Sequence, residues 1–348
     1  MMIYLSKDYI NLSISHAIDY YSSVIWNTKY NDIGDFEICV PIIDNEMTQE
    51  ISINDLVWLS DDFRDVRIIT SIKYQYSIEN GYYIILSGYS FTYVLSNRVV
   101  WEQTNFNTNA TNIIFDLVSS NCISSVNANR NLTNLIINTD FQKGEIIQAQ
   151  YQGEVISDVI KDLSQQYNFG YRIFYINKRF TFELYEGVDN NLTFSSALGN
   201  LLDYTIDIDG NNYKNSALIL GEGEGISRVK VEVSSTSDYG RKELYVNASE
   251  LSQNKNSEIH VIDVEQYRNI LSQNGKSYLE NYKTDFKFEC SVYPQMYKFR
   301  EDYNVGDKVQ VVTDYVYNGS NTIQGTITDV VESWSDKGYE CMPTIKFN

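Results

Sequence analysis

One β-rich stretch occurs twice in this chain, and a repeat of that kind limits the fold more than any single residue does. The first copy reads Asn54-Asp55-Leu56-Val57-Trp58-Leu59, a polar turn, and Arg67-Ile68-Ile69-Thr70-Ser71-Ile72. A turn at Asn80-Gly81 then leads into Tyr82-Tyr83-Ile84-Ile85-Leu86-Ser87-Gly88. Near the other end, Gly306-Asp307-Lys308-Val309-Gln310-Val311 precedes a polar loop and Gln324-Gly325-Thr326-Ile327-Thr328-Asp329-Val330. A turn at Lys337-Gly338 leads into Tyr339-Glu340-Cys341-Met342-Pro343-Thr344-Ile345. Each copy gives three strands separated by Asp, Asn and Gly turns. The plan predicts two similar antiparallel β-barrels with other material between them.

Composition fits sheet. The 348 residues include 29 Tyr and 15 Phe but 3 Pro, and aromatic and β-branched side chains pack well on a pleated surface. The length allows two or three domains. A net charge of −19 argues against binding to nucleic-acid phosphates, which needs clustered Lys and Arg. It is compatible with DNA sliding past a repelling wall. Cys39, Cys122, Cys290 and Cys341 show no metal-ligand spacing and read as small buried hydrophobes or free thiols. No run of 18 apolar residues is present, so membrane insertion is not expected. The start Met1-Met2-Ile3-Tyr4-Leu5-Ser6-Lys7-Asp8 has no basic region, so synthesis in a cytoplasm without general export is expected.

Along the chain, residues 24–30 and 34–41 read as strands around a turn at Asn31-Asp32, with Phe36, Ile38 and Val40 on one face and Pro41 ending the pairing. Asp44 or Asn45 is a candidate cap for a short helix or loop. Residues 108–119 have helical spacing, with Thr108 or Thr111 as candidate N-cap. Residues 154–167 form a clear amphipathic helix stopped at Asn168-Phe169-Gly170. A hairpin follows, Tyr171 to Ile176 and Arg179 to Tyr185, turning at Asn177-Lys178. Strands at 217–220, 228–233 and 242–246 precede a helix over 263–282 capped by Asp263. The fold class is therefore mainly β with α+β insertions. Residues 1–104 form the first barrel, 105–200 an inserted α/β module, 201–261 with 303–348 the second barrel, and 262–302 a helical insertion.

An ordered set of segments carries a resemblance. It comprises Trp26…Tyr30…Gly34-Asp35-Phe36-Glu37…Val40-Pro41, Gly88…Val99-Val100-Trp101-Glu102-Gln103-Thr104-Asn105-Phe106 and Phe182-Glu183-Leu184-Tyr185-Glu186-Gly187-Val188-Asp189. Asn212-Tyr213-Lys214-Asn215…Gly221-Glu222-Gly223-Glu224-Gly225…Arg228 and Arg241-Lys242-Glu243-Leu244-Tyr245-Val246-Asn247-Ala248 complete it. Over almost its whole length the chain resembles the ReqiPepy-type siphovirus tail proteins of phages of Gram-positive bacteria. That family in turn resembles the tail-hub proteins of long-tailed phages and contractile injection systems. The resemblance implies a homotrimer at the tail tip of a virion. Three chains with two barrels each would adapt a six-fold tube to a three-fold tip. It implies as partners a distal tail or tail tube protein, the tape-measure protein, and a tip, fibre or receptor-binding protein. DNA would pass through the channel without specific binding. Since residue 348 directly follows the second barrel, any lytic activity is expected on a partner.

Candidate chemical groups are few. Gly221-Glu222-Gly223-Glu224-Gly225 looks like a phosphate loop, but such a loop needs a helix after it, and Ile226-Ser227-Arg228-Val229 reads as a strand. A tight turn where backbones approach closely is the better reading. Asp203, Asp207 and Asp209 with Gly210 lack the later ligands of a calcium loop and read as a solvated turn. His16 and His260 have no Cys or His at ligand spacing. The carboxylate pairs Asp61-Asp62 and Glu222/Glu224 would serve glycoside hydrolysis only at the right separation in space. Tyr315, Tyr317 and the Asn318-Gly319-Ser320-Asn321 loop are candidate carbohydrate-stacking positions. No catalytic, cofactor or metal site is assigned. The expected role is a non-enzymatic hub, against a carbohydrate-binding adhesin or a cell-wall-degrading enzyme as alternatives. Acidic residues are expected on the lumen side.

Overall fold

A computed structural model describes residues 1–42, 50–78, 81–235, 240–255, 260–317 and 320–347. The candidate caps Asp44 and Asn45, the turn residue Asn80, and Asn318-Gly319 lie outside the described residues.

The first module contains β1 (Ile3–Ser6), β2 (His16–Ile18), β3 (Ser23–Lys29), β4 (Asp35–Pro41), β5 (Leu56–Leu59), β6 (Asp62–Ser77) and β7 (Gly81–Ser90). An inserted layer follows: β8 (Thr104–Asn109), α1 (Ala110–Val118), β9 (Leu135–Asn138), β10 (Ile146–Tyr151), α2 (Ile156–Tyr167), β11 (Gly170–Ile176) and β12 (Arg179–Tyr185). The chain returns to the main sheet with β13 (Asp189–Ser195) and β14 (Leu201–Asp209). A second insertion holds β15 (Ser216–Leu220), β16 (Lys230–Ser234), β17 (Glu243–Asn247), β18 (Asn254–Lys255), β19 (His260–Val261) and α3 (Val264–Glu280). The last strands are β20 (Asp285–Val292), β21 (Lys308–Tyr317), β22 (Ser320–Ser335) and β23 (Gly338–Phe347).

Thirteen of the described strands pair into one sheet. Its path runs β14-β20-β23-β22-β3-β4-β7-β6-β5-β1-β2, with β21 on β22 and β13 on β21. The repeat is real at the level of single residues. The middle strands β6 and β22 are both 16 residues long, and the third strands β7 and β23 both 10. Both pairs carry a bulge at the same place: Thr70 is extra between Ile69↔Gly88 and Ser71↔Ser87, and Thr328 between Ile327↔Ile345 and Asp329↔Thr344. A bulge bends a strand and raises its twist, so the two modules share one curvature.

The repeat extends further than the three strands. Phe36-Glu37 of β4 pairs with Gly88-Ser87 of β7, and Phe288-Glu289 of β20 pairs with Ile345-Thr344 of β23. Trp26 of β3 stands opposite Phe36 as Ile206 of β14 stands opposite Phe288. Thus β3-β4 and β14-β20 are equivalent hairpins, the second opened by residues 210–284. That placement departs from the expected helical insertion over 262–302. The helix ends at Glu280, and Asp285–Val292 is a strand of the main sheet. Likewise β15, β16 and β17, expected in the second barrel, pair among themselves, and α3 packs Tyr267, Ile270 and Leu271 against Ala217 and Ile219. The α/β layer stops at β12, because β13 pairs with β21.

Local signals explain the helices. Asn109, the residue directly before the first helical residue Ala110, caps α1 in place of Thr108 or Thr111 by accepting from the Asn112 amide at 2.9 Å. Asp263 caps α3, accepting from Gln266 at 2.8 Å. Asn168 closes α2 in the left-handed conformation at φ 51°. Asn177 and Lys178, at φ 50° and 60°, make the tight turn whose twist suits the β11-β12 hairpin.

Candidate functional site

Among the described residues the main sheet passes from one module to the other at one seam, β3 against β22. Lys29 faces Asp329, Trp26 faces Glu332, and Ser23 faces Ser335, all antiparallel. The first half of β22 already holds β21, so β3 occupies the half beyond the Thr328 bulge. Two equivalent modules are therefore joined by strand augmentation.

Buried charge pins this seam. Arg67 of β6 is 1% exposed, too costly for a lone cation. Its Nη1 donates to the Asn27 carbonyl at 2.8 Å and also to the Asp35 carbonyl, and its Nη2 donates to Asp65 Oδ2 at 2.9 Å. The guanidinium lies 4.0 Å from the Trp26 ring centroid, while Trp26 Nε1 donates to the same Asp65 oxygen at 2.7 Å. Arg300 reaches Glu332 at 2.7 Å and Asp62 at 3.4 Å. Burial pushes the Asp65 carboxyl up, but the Arg67 guanidinium outweighs it and holds the pKa below the usual range. Burial raises the Glu332 carboxyl, with Arg300 opposing.

A cavity of about 350 Å³ lies beside this network, lined among others by Arg67, Arg172, Arg300, Tyr171, Tyr185 and Phe299. The carboxylates around it are each ion-paired: Asp62 and Asp65 as above, Glu183 with Arg172 at 2.6 Å, and Asp32 with Lys161 at 2.6 Å. The arrangement holds modules together and leaves these carboxylates neutralised.

Tyr30 is the wedge at the end of the seam. Its ring is buried, 5.5 Å edge-on from Tyr185. Its amide donates to the Thr328 carbonyl at 2.8 Å, and its carbonyl accepts from the Tyr171 amide at 3.2 Å. A Cβ on Gly306 would lie 2.4 Å from the ring, and one on Gly170 would lie 2.5 Å from it. One side chain thus touches both modules and the inserted layer.

The groups singled out in the sequence fall elsewhere. Asp61 lies on the exposed β5-β6 turn. Glu222 accepts from the Gln253 amide at 2.9 Å, and Glu224 opens a one-turn 3-10 helix before β16. These two carboxylate pairs therefore belong to different sheets. Gly221 packs against α3, where a Cβ would meet Tyr267 Oη at 2.5 Å, so the glycine run is a close backbone approach. Asp203, Asp207 and Asp209 stand on one face of β14 rather than in a turn. His16 pairs with Glu50. His260 lies in β19 and Tyr315 and Tyr317 in β21, with side chains outside the described residues. The four cysteines are unpaired, and Cys122, Cys290 and Cys341 are buried. Arg67, Arg300 and Glu332 were given no role in the sequence, and Tyr30 was named only among the segments that carry the resemblance. Nothing local marks them, although Phe36-Glu37…Val40 and Phe288-Glu289…Val292 were a readable sign that the repeat includes β4 and β20.

The profile of the Siphovirus ReqiPepy6 Gp37-like protein family matches residues 2–345. No curated protein sequence matches the chain. Among solved structures, the prophage MuSo2 43 kDa tail protein from Shewanella oneidensis is similar at TM-score 0.59 and 13% identity, covering 99% of this chain and 98% of that one. The tail protein from Neisseria meningitidis MC58 is similar at TM-score 0.61 and 12% identity, over 99% and 96%. The prophage tail protein gp18 from Listeria monocytogenes EGD-e is similar at TM-score 0.54 and 11% identity, over 100% and 94%. At these identities the likeness is one of fold.

Proposed function

Because the chain belongs to the Siphovirus ReqiPepy6 Gp37-like family of phage tail proteins, we propose that it is a structural hub of the tail tip. Three copies form a ring of six modules that matches a six-fold tube on one side and a three-fold tip on the other. The observation that carries this reading is the β3-β22 seam, where one module holds its equivalent through a heterologous contact. Contacts of that kind close into rings when the rotation divides the circle, and three chains then suffice for six modules.

The role is mechanical and electrostatic, without enzymatic turnover. The ring meets the distal tail or tube protein, holds the end of the tape-measure protein and carries a tip or receptor-binding protein. It lets DNA pass without specific contacts. The net charge of −19 suits a wall that repels phosphate. Electron microscopy and native mass spectrometry of the full chain, alone and in purified virions, test the reading. Three-fold rings at the tail tip are expected. A monomeric particle elsewhere on the virion, or a basic channel in the assembled ring, would overturn it.

A further inference from the structure

We infer that the ring closes by strand augmentation between copies: β14 of one chain pairs antiparallel with residues 71–77 of β6 in the next. This rests on the ring reading above and names the surface that seals it.

The template is inside the chain. In the second module, the half of the middle strand beyond the bulge, residues 329–335, is paired with β3 of the first module. The matching half of the first module's middle strand is residues 71–77, beyond the Thr70 bulge and paired with β7 along one side. The strand equivalent to β3 is β14, and β14 ends the strand order of the main sheet. Transposing the seam places Ser71 opposite Asp209 and Ser77 opposite Asp203 of the neighbouring chain.

The side chains agree with that register. Along one face, Ile72 meets Ile208, Tyr74 meets Ile206 and Tyr76 meets Tyr204. Tyr74, Tyr76 and Ile208 are 56%, 61% and 48% exposed in the single chain. At the internal seam Val330, Val24 and Trp26, the counterparts of Ile72, Tyr204 and Ile206, are buried, and so is Glu332, the counterpart of Tyr74. Along the other face, Lys73 meets Asp207 and Gln75 meets Thr205, a charge pair and a polar pair. Directly opposed pairs of these kinds stabilise antiparallel ladders. A slip of one residue would set apolar against polar side chains throughout, so the pattern specifies one register. The aspartates of β14 and Lys73 also keep each edge from pairing with like edges, a common protection of exposed strands. The alternating Asp203, Asp207 and Asp209 thus gain a role as an edge that selects its partner.

The full-length double variant Gln75→Cys/Thr205→Cys tests the register under mild oxidation, with the parent chain as control for native thiols. Directly opposed Cβ atoms about 5 Å apart are within reach of a short bifunctional maleimide. Covalent trimers are expected, and a Gln75→Cys/Tyr204→Cys pair, pointing to opposite faces, should give none. In the uncross-linked protein, Lys73→Glu should raise the trimer midpoint concentration at least tenfold, and adding Asp207→Lys should restore it. Both positions are exposed, so folding is not at stake. Trimers that form without 75–205 cross-links, or cross-links confined to monomers, overturn this seam and leave the ring standing. Chains that stay monomeric and uncross-linked, alone and in virions, overturn the ring and the seam together.

Discussion

Asp55 and Asp307 hold the same loop in the two modules. The Ser52 amide donates to Asp55 Oδ2 and the Asn304 amide to Asp307 Oδ2, each at 2.9 Å. Each backbone carbonyl then accepts from the middle strand, Asp55 from Ile69 and Asp307 from Ile327, again at 2.9 Å. Asp307 does more: its Oδ1 accepts from the Val188 amide at 2.9 Å, fixing the strand that enters beside β21. Hydrogen bonds to a buried charge contribute about 1.5–3 kcal/mol each. Asp55→Ala should therefore cost about 2 kcal/mol and Asp307→Ala about 4 kcal/mol. Urea denaturation of the two variants gives the comparison, and equal losses would contradict it.

The Tyr30 wedge predicts non-additivity. Gly306 sits at φ +95°, and its Cβ position overlaps the Tyr30 ring. Gly306→Ala should cost more than about 3 kcal/mol through strain and overpacking. Tyr30→Ala should cost about 3–5 kcal/mol through a cavity. The double variant should be more stable than the sum of the two losses implies, because the alanine at position 306 then meets space. Additive losses by denaturant titration would argue that the two do not share this contact.

Arg67 gives a pH-dependent prediction. Removing one partner of a buried ion pair costs about 3–5 kcal/mol, since the other charge stays behind. Asp65, held below its usual range by Arg67 despite burial, contributes stability that is present above the ordinary carboxylate pKa and lost as pH falls. Arg67→Met removes that contribution. Its deficit against the parent should be largest near pH 7 and should shrink below about pH 4, where Asp65 is protonated in the variant and in both unfolded chains. A deficit that does not change between these conditions would detach Asp65 from the effect.

Much of this architecture could be read from alternation and turn residues, because each repeat strand is a local pattern. Ile68, Ile69, Ile84 and Leu86 announce strands wherever they pack. Alternation does not say which sheet a strand joins. Ile219 and Val246 look like barrel residues, yet they face α3, whose Gly275 lets Ile219 approach closely. The β14-β20 hairpin escaped because residues 210–284 separate strands that adjoin in space. Arg67 escaped for another reason. Within Val66-Arg67-Ile68-Ile69 a cation reads as an outward break in an apolar run. Its burial depends on carbonyls at Asn27 and Asp35 that become neighbours only when β3, β4 and β6 assemble.

The inserted layers carry a separate pH response, at the cleft between α2 and α3. Asp162 of α2 points there with Asp158 and Glu154 nearby, Glu250 across the cleft, and Lys161 and Asn281 as its favourable neighbours. Burial comes first in pushing its carboxyl up, to about 6, with Asp158 adding to the shift. The folded chain then binds this proton more tightly than the unfolded chain. The associated stability is fully present below the ordinary pKa near 3.8 and is lost as pH rises through about 6. Asp162 is half-buried, so solvent screening limits the effect to about 1–3 kcal/mol. Asp162→Asn keeps the shape and cannot ionise. It should stabilise the chain at pH 8 by about that amount and be nearly neutral at pH 4. Thermal melts of parent and variant across that interval should converge on acidification. Parallel curves, or a variant less stable at pH 8, would show that the ionised carboxylate is held favourably there and that the cleft does not disfavour its charge.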